Sequence, residues 1–173
     1  MVKQLRIHLL TEGKPVYRDI EIPGDMTLED LHNAIVQSFG LDGTEMASFY
    51  LMDEDFAMTD EIPLFPADEN GFGMDKVKVD EVLHDNNTQL AYVYDFMTMW
   101  QFLVEQMGET EPEPGALYPR LVFGTGELPD SPPDVHFDTI NRNPLFNEDD
   151  EFEEFGNSFD DFDNDNPYPD DWY

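Results

Sequence analysis

No cysteine occurs among the 173 residues. That single absence removes a disulfide framework, a thiolate zinc site and a cysteine nucleophile together. Positive charge is nearly as scarce. Eight Lys and Arg stand against forty Asp and Glu, a formal net charge of −32. A chain of that sign repels DNA, RNA and anionic membrane, so direct nucleic-acid binding through phosphates is not expected. Its attraction runs toward basic proteins and cations, although the same acidity also serves plain solubility. No segment approaches the roughly 20 apolar residues that cross a bilayer, so no membrane association is expected. The opening Met1-Val2-Lys3-Gln4-Leu5-Arg6 runs straight into polar alternation, unlike a secretory signal, and the expected location is cytoplasmic. Of the four histidines, His8, His84 and His136 have no ligand spacing, so neither a histidine metal site nor a cofactor is expected.

Apolar residues are plentiful by comparison. Forty percent of the chain is hydrophobic and 13% aromatic, enough for one core, and the length suits one domain with an appendage. The charge changes abruptly along the chain. From Leu145 to Tyr173 there are twelve acids and no Lys or Arg, whereas all eight bases lie before that point. This step marks the expected boundary between a folded body and a tail.

Within the body, Val2 to Leu10 alternates as a strand, with Leu5, Ile7 and Leu9 on one face. Glu12-Gly13-Lys14-Pro15 has turn chemistry, and Val16 to Ile22 forms a second strand with Arg18 on its inward side. Thr27 and Asp30 have capping-box spacing, and Leu28, Leu31, Ile35 and Phe39 form one helical stripe that Gly40 ends. Ala47 to Met52 reads as a third strand. Asp53 to Asn70, acidic and carrying Pro63 and Pro66, reads as a long surface loop, and Val77 with Val79 as a short strand. Gln89 to Phe96 and Met99 to Met107 are two β runs joined tightly at Met97-Thr98. Glu109 to Gly115 reads as a linker, and Tyr118 to Phe123 as one more strand docked back on the body.

The expected fold class is therefore α+β: a mixed or antiparallel sheet, one main helix on one face and an acidic C-terminal tail. The expected divisions are a domain over 1–123, a Pro-rich connector over 124–144 and an acidic aromatic tail over 145–173. Mutual repulsion predicts that this tail is disordered.

Several motifs resemble those of the plasmid pRiA4b open-reading-frame-3-like family. Lys14-Pro15-Val16-Tyr17-Arg18 is similar to its Pro-aromatic-Arg second strand, and Leu31-His32 with Phe39-Gly40 to its helix. Tyr92-Val93-Tyr94-Asp95-Phe96, then Trp100, is similar to its Tyr-Asp-Phe-Gly-Asp-x-Trp hallmark. Tyr118-Pro119-Arg120, Gly126 and Pro132-Pro133 resemble a degenerate copy of its C-terminal segment. Met97-Thr98 replaces the family's Gly-Asp, and Leu41 stands where a Trp usually follows Phe-Gly. The resemblance implies a compact α+β fold with a grasp-like ββαβ start. It implies no established activity. Members occur on plasmids and near mobile elements, which points to a nucleic-acid setting without contact.

Three groups of residues are candidates for chemistry or binding. His32, flanking the helical stripe, and Asp95, between aromatics, would do general acid–base work if they met in a cleft with Arg18. The competing reading is a buried polar link that locks the helix on the sheet. In the tail, Asp161-x-Asp163-x-Asp165 has the spacing that opens a calcium loop, yet Asn166 and Trp172 stand where Gly and Glu belong. Phe152, Phe155, Phe159, Phe162 and Trp172 are spaced among acids, as in segments that bind through dispersed anchors. These rings either stay available to a partner or fold back on the body. The expected function is a non-catalytic interaction module whose tail binds a basic partner or competes for a nucleic-acid-binding surface. The alternative is an enzyme or small-ligand domain centred on His32, Asp95 and Arg18.

Overall fold

The computed structural model describes residues 1–135 and Phe137. They belong to a compact unit running from Met1 to Phe137, and Asp138–Tyr173 form a second unit, which lies outside the described residues. The described residues of the first unit form seven strands: β1 (Val2–Leu9), β2 (Tyr17–Pro23), β3 (Ala47–Met52), β4 (Met58–Pro63), β5 (Gln89–Tyr94), β6 (Trp100–Thr110) and β7 (Arg120–Thr125). A long helix α1 (Leu28–Phe39) follows β2, and a single helical turn α2 (Val79–Val82) precedes β5. The sheet order is β4-β3-β5-β6-β1-β2-β7, and every pairing is antiparallel among the described residues. The chain is thus α+β, with the antiparallel rather than the mixed form of the expected sheet.

The helix begins and ends where its caps dictate. The Thr27 hydroxyl accepts from the Asp30 amide at 3.2 Å, and the Asp30 carboxylate accepts from the Thr27 amide at 3.1 Å. Gly40 closes the helix with φ of 73°, a left-handed conformation that a side chain resists. Leu28, Leu31, Ile35 and Phe39 are buried on the sheet face formed by Leu5, Ile7, Ile20, Phe49, Tyr92 and Phe102. Phe39 meets Phe102, and Phe49 meets Tyr92, each with ring centroids 4.8 Å apart and tilted planes. Each buried side chain of this size contributes about 1.5–3 kcal/mol by leaving water. This stripe therefore holds the helix to the sheet.

Two expectations from the sequence fail, each for a local reason. The stretch Asp53–Asn70 is not all loop, because β4 pairs with β3 through Ser48↔Pro63 and Phe49↔Ile62. The Asp53 carboxylate accepts from the amides of Asp55 and Ala57 and so builds the hairpin turn. Only Ile62 of β4 is buried, so the strand shows no apolar alternation. Val77 and Val79 do not form a strand either. A 3-10 turn over Met74–Lys76 leads into α2, while the Leu28 amide donates to Val77 O and the Val79 amide to Met26 O, both at 2.8 Å. The segment pins the start of α1. In addition, β6 continues to Thr110, so the expected linker begins as strand, and Met107 is inserted opposite Gln4–Leu5 as a bulge.

Candidate functional site

His32, Asp95 and Arg18 take three separate partners. His32 lies on the sheet-facing side of α1, one turn after Leu28, and shares a 2.7 Å hydrogen bond between its Nδ1 and the Tyr92 hydroxyl. Burial pushes its pKa below 6.5, and burial raises that of the Tyr92 hydroxyl well above 10. The pair is therefore neutral near pH 7. This is the buried link between helix and sheet, with Tyr92 in the place proposed for Asp95.

Asp95 shapes a turn instead. It begins the β5–β6 connection with φ of 61°, and Met99 ends it with φ of 64°. Its carboxylate accepts from the Met97 amide at 3.1 Å and from the Thr98 hydroxyl at 2.7 Å. The Met99 amide donates to the Asp95 carbonyl at 2.6 Å. Aspartate suits this role because its short side chain closes local rings and tolerates left-handed φ.

Arg18 projects from β2 toward the carboxyl end of α1. Its Nε donates to Ser38 O at 2.9 Å, and its Nη1 donates to Tyr17 O at 2.9 Å and Thr125 O at 3.0 Å. The guanidinium also sits 4.7 Å from the centre of the Phe39 ring. No basic residue occupies the last turn of α1, so Arg18 supplies the positive charge that this helix end favours. Gly124 makes room for it, since a Cβ there would lie 2.7 Å from Arg18 Cδ. Its hydrogen-bond partners are thus backbone carbonyls, and neither His32 nor Asp95 is among them. Burial lowers the pKa of Arg18 and the negative charge of Glu127 opposes that.

Arg18 and Asp95 nevertheless border one open groove of about 750 Å³, together with Asp42, Tyr94, Trp100 and Glu127. His32 is not part of its lining. The Tyr94 hydroxyl donates to Asp42 Oδ1 at 2.5 Å and accepts from the Gly43 amide at 2.8 Å. That hydrogen bond holds the Asp42 carboxyl below its usual range. The groove has more carboxylates than cations, so it disfavours anionic ligands.

Three of the cations elsewhere, Lys3, Arg6 and Arg120, pair with carboxylates. Arg6 forks onto Asp19 at 2.7 and 2.9 Å and covers the Tyr17 ring at 4.2 Å. Lys3 pairs with Glu109, and Arg120 bridges Glu21 and Glu113 at 2.7 and 3.0 Å. Among the described residues, no group of three or more His, Asp or Glu is arranged to hold a metal. No helix among them is long and apolar enough to cross a membrane. Phe152, Phe155, Phe159, Phe162, Trp172 and the aspartates Asp161, Asp163 and Asp165 lie outside the described residues, as does His136.

A seven-stranded antiparallel sheet with one long helix on one face, joined by a His–Tyr link, defines an α+β protein. The chain belongs to the plasmid pRiA4b ORF-3-like protein family, whose model matches residues 1–165. A crystal structure of a protein of unknown function from Methanosarcina mazei Go1 is similar, with a TM-score of 0.65. The two are 21% identical, over 88% of this chain and 86% of that one, so the likeness is one of fold. No curated protein matches the chain.

Proposed function

We propose that this chain is a cytoplasmic, non-catalytic interaction module. Its grasp-like ββαβ body carries an acidic aromatic tail, residues 145–173, that engages a basic partner or competes for a nucleic-acid-binding surface. The observation that carries the reading is the charge distribution: twelve acids, no Lys or Arg and eight aromatic rings in the last 29 residues of a chain at −32. Repulsion within such a segment opposes collapse, and a basic partner relieves it. The body supports the reading from another side. His32 is engaged by Tyr92, Asp95 by its own turn and Arg18 by three carbonyls, so each candidate catalytic group already has a structural task.

The test is a fluorescence titration of a labelled lysine-rich peptide with the full chain, at low and at physiological salt. The comparison is a variant in which Phe152, Phe155, Phe159, Phe162 and Trp172 are replaced by Ser. The expected result is salt-sensitive binding that weakens in the variant. Equal affinity in both proteins removes the tail from the mechanism. A second reading, a small-ligand domain, draws on the groove shared by Arg18 and Asp95. It requires a ligand whose affinity falls in Asp95→Asn, and it excludes His32 from the site.

A further inference from the structure

The sheet has two edges, and they are built differently. At one edge, β4 carries Asp60, Glu61 and Pro63, which are ordinary protections against pairing with another strand. At the other edge, β7 carries no acid and no proline; Arg120 is its one charge, and Val122 is bulged between the pairs Ile20↔Leu121 and Asp19↔Phe123. Its sequence is Arg-Leu-Val-Phe-Gly-Thr, and Leu121, Val122 and Phe123 are 53%, 56% and 52% exposed. Among the described residues only β2 pairs with it, so the backbone N–H and C=O groups on its outer side have no strand partner among them.

Both faces of this edge offer contacts for alternating side chains. On the helix side, a cleft of about 400 Å³ between α1 and β7 is bordered by Asn33, Gln37, Pro119 and Leu121. On the opposite side, Phe123 packs against Tyr17 with ring centroids 6.0 Å apart. The charge pattern selects the occupant. Pro114 to Gly126 is a run of thirteen residues without an acid, bracketed by Glu109, Glu111 and Glu113 before it and Glu127 and Asp130 after it. A second copy of the chain would bring another −32 to this edge, and the chain's own tail would bring twelve acids and no Lys or Arg. An extended basic segment fits all three features: main-chain pairing along β7, apolar side chains at its centre and Lys or Arg at its ends.

We infer that β7 is a docking edge on which an extended basic polypeptide adds as an eighth strand. The inference rests on the basic-partner reading above and gives it a second, main-chain contact.

The test uses the full chain and two synthetic peptides of equal charge. One is Lys-Lys-Val-Thr-Val-Thr-Val-Lys-Lys; the other has Pro in place of each Val and cannot form a ladder. The expected result is at least ten-fold tighter binding of the valine peptide. Amide exchange across Arg120–Thr125 should slow when it binds. Val122→Lys, or Leu121→Lys as a second exposed variant, should lower its affinity at least ten-fold with the melting temperature unchanged. Equal binding of the two peptides without protection of β7 overturns the docking edge and leaves the basic-partner reading intact. Binding of neither peptide overturns both. Protection of β7 that rises with protein concentration and without peptide overturns the inference by assigning the edge to a second copy.

Discussion

Replacing His32 by Leu and Tyr92 by Phe, singly and together, tests whether the helix is locked on the sheet by one buried hydrogen bond. His32 is 3% exposed and Tyr92 fully buried, and their polar atoms lie 2.7 Å apart. His32→Leu leaves the Tyr92 hydroxyl without its partner beneath the helix, and an orphaned buried hydroxyl costs about 1–3 kcal/mol. Tyr92→Phe orphans the imidazole instead, at a similar cost. The double variant removes both polar groups at once, so the penalty is not paid twice. The expected coupling energy from urea unfolding is about 1–2 kcal/mol, a loss smaller than the sum of the singles. The pH dependence provides an independent readout. Burial depresses the His32 pKa, so below about 6.5 the unfolded chain binds the proton first. Its contribution is complete above that pH and falls as the pH drops toward the folded-state value. His32→Leu should lose this component. Additive single effects, with the acid dependence between pH 6.5 and 5 unchanged, refute the reasoning.

Three further outcomes follow from contacts in the body. Arg18→Met should cost about 2 kcal/mol in chemical denaturation, since three carbonyls lose a charged donor, and Arg18→Lys should recover less than half because an ammonium lacks the fork. Thr27→Ala should cost about 1 kcal/mol by removing the N-cap of α1, with Thr27→Ser restoring most of it. The Arg120 hydrogen bond lowers the pKa of Glu113, so that contribution is present above about pH 4.5 and is lost as pH falls through the folded-state value. Arg120→Gln should flatten the stability profile in that acid window, as followed by thermal melts.

The elements legible in the sequence are those in which burial imposes a period. The Leu28-Leu31-Ile35-Phe39 stripe and its caps define α1 because one face meets the sheet. β1 alternates because helix and core cover one side of it, whereas β5 is a continuous apolar run because Leu90 to Tyr94 are all buried. β4 escaped because an edge strand buries little, and its Asp60 and Glu61 read as loop. The Val77–Val82 stretch escaped because its hydrogen bonds run to the start of α1, and four helical residues are too few to show a period. The site was half legible. His32 is four residues after Leu28, so it shares the sheet-facing stripe, and Tyr92 lies on the helix-facing side of β5 beneath it. Helical spacing thus pointed to a strand residue rather than to Asp95. The positive φ that commits Asp95 to its turn leaves no mark in the sequence, because Met97-Thr98 lacks the glycine that usually announces one. Arg18 was placed on the correct side of β2, but its carbonyl partners come from the end of α1, the Tyr17 peptide and the far strand β7.

The claim that association is driven by charge is tested most directly by the salt dependence of binding. The affinity of the full chain for a lysine-rich peptide should be measured from about 20 to 300 mM salt, where the screening length shortens several-fold. The account predicts a steep, monotonic loss of affinity, dominated by slower association. An affinity that stays constant across that range, or binding to an acidic peptide of equal strength, would contradict it.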